Sequence, residues 1–139
     1  MSSTIWINLR NGEQYESNES DHSAMLALDN ALAALAASLS IRALSSFYDD
    51  TDFRYNLDET GEFEELEDGW PASAAQWFDP ADALRSVDAI LTYLQAHAEA
   101  IDTDDRWTQA DVEDDLLDCK AELERAVAAG KSIHFCIVM

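Results

Sequence analysis

The sequence predicts an α+β fold: a bundle of about three main helices with a small sheet formed by the N- and C-terminal strands. Three observations carry it. Residues 4–10 alternate with period two, the middle of the chain carries apolar residues at spacings of three and four, and the last eight residues are almost wholly apolar.

In "TIWINLR", Ile5, Ile7 and Leu9 alternate with Thr4, Trp6, Asn8 and Arg10, which reads as a strand with one buried face; Asn11-Gly12 then turns it. From Ser20 or Asp21 as N-cap, Met25, Leu28, Leu32, Leu35 and Leu39 mark an amphipathic helix. Ala24, Ala27, Ala31 and Ala34 give that helix a narrow side on which a second helix should pack. Residues 45–76 lose periodicity and gather charge, so they read as a long acidic loop with at most a helical turn. A second helix starts sharply, with Asp79 as N-cap, Pro80 at the first helical position and Asp82 against the dipole. Its buried stripe is Leu84, Val87, Leu91 and Leu94. A third begins at Thr108, with Asp111 reaching back, and runs through Val112, Leu116, Cys119, Leu123 and Val127 to a left-handed stop at Gly130. "SIHFCIVM" then reads as a strand buried on both faces or paired in a protected position, with the first strand as its natural partner. Two strands alone are marginal, so helices, a further segment or a second subunit must complete the sheet.

At 139 residues the chain is sized for one domain with its own core. Eight basic residues against 29 acidic ones give a net charge of −21, which speaks against nucleic acid and anionic membranes as direct partners and permits a basic protein. A hydrophobic content of 47% places that charge on a folded body, not on a disordered tail. The N-terminus has no signal-peptide pattern and no segment is apolar enough to span a bilayer, so a cytoplasmic protein, monomer or homodimer, is expected. Cys119 and Cys136 fall at apolar-face positions and read as reduced core residues.

No motif commits the chain to a reaction. Asp102, Asp104 and Glu113 match positions 1, 3 and 12 of a calcium loop, but Arg106 and Trp107 occupy positions that need an oxygen ligand and a glycine. His22, His97 and His134 lack partners at zinc-binding spacing. The serines sit in no nucleophile elbow, and none of the four glycines opens a phosphate loop. Neither metal nor cofactor is expected, and the chain reads as a non-enzyme.

Two acidic blocks remain: residues 49–68, with ten carboxylates against Arg54, and residues 99–118, with nine against Arg106. A solvated surface explains such blocks, as does halophilic adaptation, given two lysines against six arginines. The sharper reading notes aromatic residues within the first block, since rings that fill pockets and carboxylates that steer are what a binder of a basic protein needs. Its contact residues are then Asp49, Asp50, Asp52, Phe53, Tyr55, Glu62, Phe63, Glu64, Glu65, Glu67, Asp68 and Trp70. Mimicry of DNA, with carboxylates spaced like phosphates, is the alternative within binding; an enzyme of unknown reaction is the alternative outside it.

Leu44, Ser45, Phe47 and Tyr48 in "SLSIRALSSFYDD", and Trp77, Phe78, Asp79, Pro80, Ala83 and Leu84 in "WFDPADALRSVDAILTYL", carry a resemblance across most of the chain. The chain resembles small acidic bacterial proteins without assigned activity, of the immunity or antitoxin kind. The resemblance implies a fold of helices closed by an apolar strand and a protein partner, and it carries over no catalytic residues. The acidity of residues 49–68 departs from that pattern.

Overall fold

The computed structural model describes residues 4–11, 14–18, 21–48, 76–103 and 106–138. Strand β1 (Thr4–Asn11) is the centre of a three-stranded antiparallel sheet, flanked by β2 (Gln14–Asn18) and by the C-terminal strand β3 (Ser132–Val138). The expected pairing of the two terminal strands is present, in a register from Thr4 opposite Val138 to Arg10 opposite Ser132. The sheet is completed by β2, which pairs antiparallel with β1 in a register from Ile7 opposite Asn18 to Asn11 opposite Gln14.

Ile5, Ile7 and Leu9 face the helices together with Ile133 and Phe135, and all five are buried. Full burial of each large apolar side chain contributes about 1.5 to 3 kcal/mol. The other face is covered as well. Thr4, Asn8, His134 and Cys136 are buried there, so β3 has the two covered faces its composition predicts, whereas β1 departs from the single buried face its alternation suggested.

The first predicted helix is two: α1 (Ser23–Ala27) and α2 (Asp29–Ser38), separated at Leu28. The break follows from their neighbours. Ala24 and Met25 of α1 are buried where it meets β1 and the last helix, while Leu32, Leu35 and Ala36 of α2 are buried toward the following turn and the next long helix. One straight axis cannot serve both directions. The expected alanine seam fails for the same reason: Ala24 is buried and Ala31 half-buried, but Ala27 and Ala34 are exposed.

Helix α3 (Pro80–Ala96) starts as the sequence predicts, with the Asp79 carboxylate accepting from the Ala81 amide at 2.9 Å. Helix α4 (Gln109–Ala129) has the full capping box: the Thr108 amide donates to Asp111 at 2.9 Å, and the Asp111 amide donates to the Thr108 hydroxyl at 3.2 Å. It stops at Gly130, whose φ of 69° is left-handed. The buried stripe of α4 ends at Ala126; Val127 is exposed, because spacings of 4, 3 and 4 from Val112 to Leu123 continue with 3 and turn residue 127 off the packed side. Packing of α3 on α4 closes the core with Ala83, Val87, Ile90, Leu91 and Leu94 against Val112, Leu116, Cys119 and Leu123. Cys119 and Cys136 are both buried and free, and burial pushes the Cys119 thiol far up, with Asp118 and Asp115 adding to the shift. Among the described residues, no helix is long and apolar enough to cross a membrane.

Candidate functional site: an aromatic anchor at the base of the acidic segment

The twelve residues assigned to partner contact, Asp49, Asp50, Asp52, Phe53, Tyr55, Glu62, Phe63, Glu64, Glu65, Glu67, Asp68 and Trp70, lie outside the described residues. The flanks on which that segment is mounted lie inside them, and they meet.

The leading flank is built from a 3-10 turn, Leu44–Phe47. Ser46 closes it by donating its hydroxyl to the Ala43 carbonyl at 2.6 Å, and Arg42 Nε donates to the same hydroxyl at 2.7 Å. The Arg42 guanidinium is thereby held 4.1 Å from the ring centroid of Phe47 and 5.2 Å from that of Phe78. Phe47 is fully buried. Tyr48 then bridges Phe135 of β3 in the parallel sense, and its hydroxyl donates to Asp29 of α2 at 2.9 Å. Burial first, and the Asp29 carboxylate second, hold that phenol well above its usual range.

The trailing flank reaches the same strand edge. Phe78 bridges Ile133 in the antiparallel sense, and its ring meets Phe47 edge-on at 5.5 Å. Trp77 lies over His134, ring centroids 4.3 Å apart. Nδ1 of His134 is 3.1 Å from the Gln76 carbonyl, to which only the ring can donate, and Nε2 is 3.1 Å from the Asn8 side-chain amide. Trp77 and Phe78 thus pack on the sheet.

Ile133 and Phe135 are two residues apart on β3, about 7 Å along a strand. The acidic segment thus leaves the framework at Tyr48 and rejoins it at Phe78 on one sheet edge. No family model, curated protein or solved structure matches this chain. Beside the trailing flank, Trp77, Phe78, Pro80 and Val127 line an open cleft of about 390 Å³, with Asp79, Lys131 and Ser132 among its polar residues.

The second acidic block is not uniformly a solvated surface. Asp111 caps α4, Asp115 accepts from the Met25 amide at 3.0 Å, and Asp118 lies 2.7 Å from His22. Asp115 thus supplies the N-terminal cap that was expected of Ser20 or Asp21; Ser20 lies outside the described residues, and Asp21 accepts from the Trp6 indole at 3.2 Å. Of the calcium-loop residues, Asp104 lies outside the described residues, and Glu113 belongs to α4. Among the described residues, no three His, Cys, Asp or Glu side chains converge as metal ligands. Sequence reasoning missed Arg42, Asp115 and the buried roles of His22 and His134. Only Arg42 has a local signal, its spacing of four from Ser46 and five from Phe47.

Proposed function

We propose that the protein is a non-catalytic acidic binder of a basic protein, with residues 49–70 as its recognition segment. The carrying observation is the convergence of Tyr48 and Phe78 on one edge of β3. Flanks already packed on the strand edge need no ordering when a partner binds, which reduces the cost of binding. Its ten carboxylates supply long-range attraction, and Phe53, Phe63 and Trp70 supply rings for a desolvated centre. A cognate protein encoded beside it, as in bacterial immunity or antitoxin systems, is the partner that this size and charge suit.

The test has two stages. Capture from the native organism at low and high salt identifies candidates retained only at low ionic strength, and kinetics with the purified partner follow. Replacing Glu62, Glu64, Glu65 and Glu67 by Gln should mainly slow association, with little change in dissociation. Phe63→Ala or Trp70→Ala should mainly speed dissociation. Unchanged kinetics in both sets of variants would retire the recognition reading for this segment.

A further inference from the structure

His22 is enclosed where β1, α1 and α4 meet, with 0% of its surface exposed. Its backbone amide donates to the Thr4 hydroxyl at 2.7 Å, Nδ1 lies 2.7 Å from the Ile5 carbonyl, and Nε2 lies 2.7 Å from Oδ2 of Asp118. Both ring nitrogens therefore face acceptors. A carbonyl has no hydrogen to give, so Nδ1 donates to Ile5. A neutral imidazole has one N–H, which would leave a bare Nε2 lone pair against an ionised carboxylate at hydrogen-bond distance. One additional proton removes that conflict.

We propose that His22 is held as an imidazolium paired with Asp118, and that this proton clamps α1 onto β1 and α4. The surroundings favour a cation. From α4, Asp115 interacts electrostatically with the ring, Asp111 acts on Asp115 in turn, and the Cys119 thiol is buried beside Asp115 and Asp118. From β1 come only the uncharged Thr4 hydroxyl and the Ile5 carbonyl. Asp21, next in the chain, accepts from Trp6, and α1 itself contains no ionisable side chain. Lys120, two residues beyond Asp118, is drawn to Asp88 of α3 at 2.8 Å. The charged groups around the ring, among the described residues, are carboxylates.

The sign of the pH dependence follows. The native state holds a proton that the unfolded chain releases as pH rises, so this contribution to stability is present at low pH and lost on the alkaline side. Asp118 is 46% exposed, so a variant there should fold. In Asp118→Asn the amide can donate to Nε2, the neutral ring is satisfied, and the extra proton is no longer needed.

Two measurements on the full chain test this. Ring nitrogen NMR of wild-type His22 at pH 7 should show hydrogen on both nitrogens; a bare Nε2 would overturn the proposal. The wild-type melting temperature should fall between pH 6 and pH 9 by roughly 3 °C more than that of Asp118→Asn. Parallel curves for the two proteins would also overturn it, and if the variant does not fold, the ring nitrogen measurement decides alone.

Discussion

The amide of Phe78 donates to the Ile133 carbonyl at 2.8 Å, and the amide of Ile133 donates back to the Phe78 carbonyl at 2.9 Å. This reciprocal pair joins the residue that ends the acidic segment to the strand that ends the chain. It also satisfies backbone groups on the outer edge of β3 that would otherwise offer a template for strand addition.

Truncation at this joint should be felt. Phe78→Ala removes the edge-on contact with Phe47 and part of the cover over Ile133. The ring is half-buried, so the loss should lie somewhat below that of a fully buried Phe, at about 2 to 3 kcal/mol in chemical denaturation. A loss within error would mean that the backbone pair alone secures the flank.

Asp79→Ala should cost about 0.5 to 2 kcal/mol, since its carboxylate accepts from the Ala81 amide at the start of α3. Asp79→Asn or Asp79→Ser should recover most of that stability. Equal denaturation midpoints for wild type and the Ala variant would remove the cap from the account of this helix.

Gln109 ties the two long helices at their shared end. Its amide nitrogen donates to the carbonyls of Leu94 at 3.0 Å and His97 at 2.9 Å, and its oxygen accepts from the Ala100 amide at 2.8 Å. Gln109→Ala should destabilise by about 1 to 3 kcal/mol, because backbone groups at the end of α3 lose their partners. Faster amide exchange at Ala100 is the local readout, and its absence would count against the tie.

Asp115 should titrate above the ordinary aspartate range, because burial raises its carboxyl more than the Met25 amide and His22 lower it. The folded state then prefers the protonated acid. Its contribution to stability is fully present below the pKa of the unfolded chain and is lost as pH rises through the folded pKa. Asp115→Asn keeps an oxygen for the Met25 amide and removes the ionisation, so its stability relative to wild type should improve as pH rises from 3 to 7. Carbon NMR of the carboxyl group measures the shift directly; an ordinary or lowered midpoint would refute it.

What the sequence determined by itself was whatever neighbouring residues decide together. Asp79 and Pro80 start α3, Thr108 and Asp111 cap α4, and Gly130 stops it, each through groups within a few positions along the chain. Pairing of the terminal strands was also legible, because two apolar segments in a chain with few others have little choice of cover. Contacts between distant residues were decided only by the tertiary structure. His22 meets Asp118 across 96 residues, Met25 is capped by Asp115 across 90, and His134 meets Asn8 across 126. Nothing local distinguishes Asp115 or Asp118 from the other carboxylates of their block. A carboxylate becomes structural when packing places it against a buried donor that only it can satisfy.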